Sequence, residues 1–433
     1  MEISVLLLLI SFVVLLVVGI PVSICIGVAT VLTMLVTIDT TPALTTVAQR
    51  MASGLDSFAL LAIPFFVLSG LLMGQGGIAH RLVAFAKVLV GMLPGGLAFV
   101  NVMSCTLFGA ISGSAVAATS AIGSFMIPTM QKEGYDRSFS AAVTVTSSTT
   151  GLLIPPSNIL IIYSLASGGV SIAALFVAGY LPGILMAVAL MVVCGVYARV
   201  KKLPVGEKPT LREALLRTWE ALPSLALVII VIGGIVGGVF TATEASAIAV
   251  LYSGFLSLVV YKEVKWADMP KLLIKSAQMT SVVLLLIATS TAMSWILSYE
   301  NIPQGLSSAL LGLTSDPVMI LLTINMILLL VGIFMDMTPA VLIFTPIFLP
   351  VVESLGISPL HFGIMMVANL CIGLCTPPVG SVLFVGCSVA KTSIAQLIRP
   401  LVPMYLAMLV ALGFIIYVPA ISEFLPRVFG LME

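Results

Sequence analysis

Gly151-Leu152-Leu153-Ile154-Pro155-Pro156 is answered in the second half of the chain by Gly373-Leu374-Cys375-Thr376-Pro377-Pro378. The two stretches stand 222 residues apart, and Pro128 and Gly134 stand at that same distance from Pro350 and Gly356. Gly and Pro interrupt helices because one lacks a Cβ and the other an N–H. A set of breakers kept in one register describes a repeated architecture. In an apolar chain, paired interruptions point to a carrier assembled from repeats, with its binding site where the broken helices meet.

The 433 residues are 60% hydrophobic and 8% charged, with a mean hydropathy of +1.26. A soluble domain carries about 25% charged residues, so this is the composition of a polytopic protein of the lipid bilayer. Net charge is +1, and the basic residues are scattered through connectors, which leaves no patch for a nucleic acid. Cys25, Cys105, Cys194, Cys371, Cys375 and Cys387 lie in apolar stretches without a Cys-x-x-Cys pair and read as packing residues. His80 and His361 have no acidic or histidine neighbour at zinc spacing, and no Gly-x-x-x-x-Gly-Lys-Ser/Thr loop occurs. A metalloenzyme and an ATPase are both disfavoured. Met1-Glu2-Ile3-Ser4 lacks a basic leader and reads as the start of the first span.

Apolar spans are predicted at 3–18, 21–38, 58–74, 139–168 and 173–198, and again at 221–240, 244–261, 277–298, 361–390 and 400–421. Two further blocks, 97–130 and 317–352, are interrupted by Ser112-Gly113-Ser114 and by Asp336-Met337-Thr338-Pro339. Their pieces of about 15 residues reach roughly 22 Å, short of a ~30 Å hydrocarbon core, and are expected to form re-entrant hairpins. The fold class is thus an all-α membrane protein with two repeats of five spans plus one hairpin. The first repeat is 1–200, a connector covers 201–220, and the second repeat is 221–433. An odd number of spans per repeat makes the repeats inverted.

Lys and Arg collect on the cytoplasmic side of membrane proteins. With the N-terminus outside, Arg199, Lys201, Lys202, Lys208, Arg212 and Arg217 fall inside, and only Arg50 and Arg427 remain outside. Both termini are then periplasmic. Two segments too polar to span, 41–57 and 265–276, read as surface arms. They would join scaffolds at 3–38 and 221–261 to mobile transport parts at 58–198 and 277–421.

A broken helix inside the bilayer frees carbonyl oxygens that suit an alkali cation. Candidate ligands in the first half are Ser112, Gly113 and Ser114 at the tip, with Thr150, Gly151, Ile154 and Pro156 at the break. Their counterparts are Asp336, Met337, Thr338, Gly373, Thr376 and Pro378. The second helix of each hairpin starts near Ser114 or Thr338, and its positive dipole end favours a carboxylate. Ser157 and Asn158 are further candidates for holding that substrate. Val379 and Gly380 occupy their places in the second half, so the cavity is expected to be polar on one side only. Asp336, an ionisable group at membrane depth, is expected to hold a cation or substrate hydroxyls. Glu244 is read either as a helix-start residue beside Thr241 or Thr243, or as a transport residue.

Ile63-Pro64-Phe65-Phe66 with Gly70, Gly76-Gly77-Ile78-Ala79, Gly109-Ala110-Ile111-Ser112-Gly113-Ser114-Ala115, Ile154-Pro155-Pro156-Ser157 and Thr243-Glu244-Ala245 occur in that order. Together they resemble the large membrane subunit of tripartite ATP-independent periplasmic (TRAP) transporters, over essentially the whole chain. The resemblance implies a Na⁺-driven elevator carrier in the bacterial inner membrane. It would take an organic acid, such as a dicarboxylate, sugar acid or sialic acid, from a periplasmic binding protein. The resemblance also implies a small four-span membrane subunit, expected here as a separate chain. By resemblance, Ser112 and Ser114 with Gly151, Ile154 and Pro156 form one sodium site. Thr338 with Gly373, Thr376 and Pro378 forms the other, and substrate lies between the tips. The competing expectation is a self-sufficient Na⁺-coupled anion carrier. An intramembrane enzyme would need a nucleophile and a base at one depth, and the sequence shows no such pair.

Overall fold

The computed structural model describes residues 3–206, 208–313, 316–377 and 380–432. The first half contains α1 (Ile3–Val17), α2 (Val22–Thr37), α3 (Thr40–Leu55), α4 (Ala62–Gln75), α5 (Ile78–Val90), α6 (Gly96–Ser112), α7 (Ala115–Lys132), α8 (Arg137–Thr150), α9 (Asn158–Ala166) and α10 (Ile172–Lys201). The second half contains α11 (Leu211–Val236), α12 (Ala242–Phe255), α13 (Met269–Tyr299), α14 (Ile302–Leu313), α15 (Pro317–Phe334), α16 (Met337–Ser354), α17 (Pro359–Gly373), α18 (Ser381–Ala390), α19 (Ile394–Tyr417) and α20 (Ala420–Val428). Among the described residues, eight helical stretches are long and apolar enough to cross a membrane.

Local chemistry explains several starts. Asp136 accepts a hydrogen bond from the Phe139 N–H at 2.9 Å to open α8, and Ser114 accepts one from Ala117 N–H at 3.2 Å to open α7. Thr241 and Glu244 form a reciprocal capping box at α12: Glu244 N–H donates to Thr241 Oγ1 at 3.3 Å, and Thr241 N–H donates to Glu244 Oε2 at 2.8 Å. Glu244 is therefore a helix-start residue.

The hairpins are α6–α7 and α15–α16, each turning over at most two residues. Their arms have 17 or 18 residues, about 27 Å at full length. That is longer than the sequence pieces suggest, and α15 and α16 rank among the stretches long enough to cross. Arm length alone does not set the hairpins apart from crossing spans.

Three elements lie outside the expected spans: α5, α14 and the C-terminal α20. A second difference concerns the arms. In the first half, α3 ends at Leu55 and a short 3₁₀ turn, Phe58–Leu61, precedes α4. In the second half, arm and span are one 31-residue helix, α13, because Ser276-Ala277-Gln278-Met279 contains no breaker where the first half has Ser53-Gly54-Leu55-Asp56. The halves interlock, since α13 packs on α2, α3 and α4, and α12 packs on α4.

Most of the buried hydroxyls of the polar central helix α8 are satisfied within that helix. Residues Phe139–Thr150 of α8 are all buried, and the hydroxyls of Thr144, Thr146, Ser148, Thr149 and Thr150 donate to carbonyls three or four residues earlier. Each hairpin is then clamped to its broken helix by an amide: Asn101 Nδ2 donates to Thr144 Oγ1 at 2.7 Å, and Asn369 Nδ2 donates to the Asn325 carbonyl at 2.9 Å and Oδ1 at 2.8 Å. Interhelical bonds of this kind contribute about 1 kcal/mol in a membrane protein. Asn369→Leu is accordingly expected to lower the thermal midpoint of the detergent-solubilised protein. A wild-type melting curve would show that the clamp contributes nothing.

Candidate functional site

Four helices begin at one cavity of about 380 Å³. Its lining includes Ser114 and Ala115 at the start of α7, and Asn158 at the start of α9. It also includes Met337 at the start of α16 and Ser381 at the start of α18. Each start carries N–H groups without intrahelical acceptors and the positive end of a helix dipole, about half a charge. Val67 and Gly70 of α4 and Val282 and Val283 of α13 close the apolar walls. The tips of both hairpins thus meet in the interior.

Gly–Gly crossings set the tips in place. A Cβ on Gly151 would lie 2.7 Å from Gly109 Cα and 2.8 Å from the Thr106 carbonyl oxygen. In the second half, a Cβ on Gly373 would lie 2.6 Å from Gly332 Cα and 2.7 Å from its carbonyl carbon. Backbone therefore meets backbone where each hairpin arm crosses the end of its broken helix, a contact open only to glycine. The Thr106 and Thr150 hydroxyls share a hydrogen bond of 2.9 Å beside the first crossing. Gly70 presses on the Ser112 carbonyl, 2.6 Å from where its Cβ would stand, and ties the first tip to α4.

Among the expected site residues, Ser112, Gly113, Ser114, Asn158, Asp336, Met337 and Thr338 line the cavity. Thr150, Gly151 and Gly373 are buried behind the tips, at or beside the crossings. Ile154 faces the other way, its Cδ1 standing 3.1 Å from where a Gly183 Cβ would lie on α10, and Pro156 is buried in the break. Thr376 donates its hydroxyl to the Ile372 carbonyl at 2.7 Å. Pro378 and Val379 lie outside the described residues. Among the described residues, the Gly151 and Gly373 carbonyls each accept one N–H beyond their helices, from Ile154 at 3.2 Å and Thr376 at 2.9 Å, and keep a second lone pair.

Two expectations about substrate contacts change. Ser157 does not line the cavity: it is 1% exposed, and its hydroxyl donates to the Leu152 carbonyl at 2.5 Å, holding the break together. The second-half wall is not apolar either, because Ser381 lines it and donates to Asp336 Oδ1 at 3.5 Å. Ser381 lies 223 residues after Asn158, one step off the strict repeat, and Gly332 is displaced by the same step from Gly109. A repeat read with a tolerance of one residue contains both.

A family model described as "Tripartite ATP-independent periplasmic transporter, DctM component" matches residues 9–421. The chain belongs to the DctM family of TRAP transporters. It is 52% identical over 420 residues to an uncharacterized protein, YgiK, of Salmonella typhimurium, covering 97% of this chain and 96% of that one. It is 43% identical over 376 residues to the C4-dicarboxylate TRAP transporter large permease protein DctM of Pseudomonas aeruginosa, covering 87% and 88%. The solved structure of the Alcanivorax borkumensis YdaH transporter superposes with a TM-score of 0.64 at 15% identity, covering 91% of this chain and 90% of that one, which shows a shared fold. This DctM-family chain is a multi-pass membrane permease subunit of a tripartite system, not an enzyme.

A histidine–serine pair that sequence spacing does not reveal is present in this permease. His361 Nδ1 lies 2.6 Å from Ser422 Oγ, and His361 Nε2 lies 3.1 Å from the Ile416 carbonyl. A carbonyl only accepts, so Nε2 carries the proton and Nδ1 accepts from the serine. The pair is nonetheless sealed, with His361 1% and Ser422 0% exposed. It pins α20 to α17. The separation of 61 residues, across α17 to α20, hides it from spacing arguments.

Proposed function

We propose that this chain imports a carboxylated organic solute together with Na⁺. The observation that carries the reading is the charge of the cavity: four helix N-termini face it, Asp336 is its one acidic side chain, and no Lys, Arg or His lines it among the described residues. Helix dipoles can hold a carboxylate without a basic side chain. In its ionised form Asp336 repels the same anion. A bound cation resolves the conflict, and the oxygen-rich tips and breaks around Ser112, Gly151, Asp336 and Gly373 suit Na⁺.

Movement is proposed to follow an elevator scheme, in which the two hairpins and broken helices slide against the frame of α1, α2, α11 and α12. In support of an inverted repeat, Cys371 Sγ donates to the carbonyl of Thr149, its own repeat counterpart 222 positions away. A residue touches its repeat mate only near an axis relating the two halves. The positive charge of the 199–217 connector supports cytoplasmic placement of that end, an inner-membrane location and periplasmic termini. A periplasmic binding protein is proposed to deliver the solute, with a separate small four-span subunit completing the complex. C4-dicarboxylates head the substrate classes to test, given the Pseudomonas relative's name.

The experiment is uptake into proteoliposomes holding this chain and its small partner, with labelled organic acids, with and without an inward Na⁺ gradient and the binding protein. Uptake requiring both supports the reading. Uptake with Na⁺ alone would make this a self-sufficient carrier, and Na⁺-independent uptake would overturn the ion coupling.

A further inference from the structure

A second groove, of about 1240 Å³, opens between the start of α8, the end of α10, and the α18–α19 junction. Arg137, Lys201, Lys391 and Arg399 stand around its mouth. Among the described residues none of the four forms an ion pair; the three that occur, Arg81–Glu263, Arg217–Glu220 and Arg427–Glu423, all lie elsewhere. Asp136, the acid at the mouth, caps α8 and keeps its negative charge, so basic side chains still outnumber it there by four to one. Like charges gathered around one groove repel one another, an arrangement that an anion relieves.

Beside these charges the groove offers apolar surface, with Ser138, Thr392 and Gln396 also in its lining. Val192, Val196 and Val200, 61%, 59% and 73% exposed, form one stripe along α10 at a spacing of four residues. From Val192 to Val200 the stripe runs about 12 Å at helical rise. Phe139 stacks on Tyr197 at a centroid distance of 3.5 Å to close the floor. A second basic cavity, beside α5 and α11, offers a contrast: there Arg81 pairs with Glu263 and lies over the Tyr261 ring, while Arg217 pairs with Glu220. Its charges are satisfied from within.

We propose that the groove between α8, α10 and α19 binds an anionic phospholipid, with the phosphate among Arg137, Lys201, Lys391 and Arg399 and an acyl chain along the valine stripe of α10. Basic pockets between spans on the cytoplasmic side recognise such headgroups, and Lys201 adjoins the connector that the charge distribution places there. A soluble phosphate or an acidic peptide would use the four charges and leave the stripe idle. A phospholipid uses both. The site lies apart from the cargo cavity and does not depend on which solute or ion is carried.

The test is native mass spectrometry of the full chain in detergent, titrated with dioleoylphosphatidylglycerol, dioleoylphosphatidylcholine or inorganic phosphate. Each basic side chain contributes roughly a fivefold preference for an anionic headgroup. Arg137→Gln/Lys391→Gln/Arg399→Gln is therefore expected to lower the preference for phosphatidylglycerol over phosphatidylcholine by about a hundredfold. Val196→Trp is expected to weaken both lipids by obstructing the stripe. If the triple variant does not fold, Lys391→Gln and Arg399→Gln alone should each lower the preference by about fivefold. A preference unchanged in these variants, lipid retention unchanged in Val196→Trp, or displacement of the lipid by inorganic phosphate at equal concentration would overturn the proposal.

Discussion

Gly151→Ala and Gly373→Ala are each expected to lower Na⁺-driven uptake by at least about a hundredfold while the chain still reaches the membrane. An added methyl is the smallest possible insult, and elsewhere it is harmless: Gly413 on α19 has no atom within 4 Å of its Cβ position, so Gly413→Ala should transport at the wild-type rate. At Gly151 the methyl would lie 2.7 Å from Gly109 Cα, and at Gly373 2.6 Å from Gly332 Cα. Both neighbours are backbone, so no side chain can rotate away. Overpacking a well-filled core costs about 1–3 kcal/mol, and here relief requires the hairpin arm to move off the broken helix. The tips would then leave the cavity, and misplacement by about 1 Å is enough to lose a hundredfold in a site that depends on orientation. Uptake and thermal stability measured together separate a displaced tip from an unfolded chain. Wild-type uptake and Na⁺ dependence in either variant would show that the crossings do not position the site.

These crossings show how much of the molecule its sequence discloses. Gly151 and Gly373 stand out because helix breakers rarely recur in register inside apolar segments, and the repeat then leads to both tips. Their partners, Gly109 and Gly332, do not stand out. A glycine in mid-helix acquires meaning only from the helix that crosses it. The same limit applies to Ser381, Asn325 and Asn369, which are ordinary polar residues until a neighbour is known. Helices α5, α14 and α20 escape a search for continuous apolar spans because each is amphipathic: α5 buries Ile78, Ala79, Leu82 and Ala86 while carrying Arg81 and Lys87 on its remaining surface. The helix that precedes α4 is legible from Pro42 and the polar run after it. Its equivalent in the second half is not the separate element that polarity suggests, since nothing between Ser276 and Met279 stops a helix from continuing through α13.

Asp336→Asn is expected to lower Na⁺-stimulated uptake by about ten- to a hundredfold and to raise the half-saturating Na⁺ concentration by about tenfold, equivalent to about 1.4 kcal/mol of lost cation binding. The effect follows from the sign of the charges. A substrate carboxylate held about 6 Å from Asp336 is repelled by roughly 3 kcal/mol at an effective dielectric of 20. Four helix starts offset some of that repulsion, and among the described residues no basic side chain lines the cavity to supply the rest. A cation beside Asp336 converts the repulsion into attraction for both ligands, which makes each bind more tightly when the other is present. Asparagine removes the repulsion and the coupling at once. Binding of the organic acid in the absence of Na⁺ should therefore improve in Asp336→Asn even as coupled transport fails, whereas a merely structural acid would leave Na⁺-free binding unchanged. Ser381→Ala removes the hydroxyl that donates to Asp336 Oδ1 and should shift Na⁺ dependence in the same direction by a smaller factor. Isothermal titration of the variants with and without Na⁺ reads both effects. An unchanged KM together with unchanged Na⁺ dependence in Asp336→Asn would reduce this residue to a structural partner of Ser381 and move the coupling ion to the first tip, around Ser112 and Gly151.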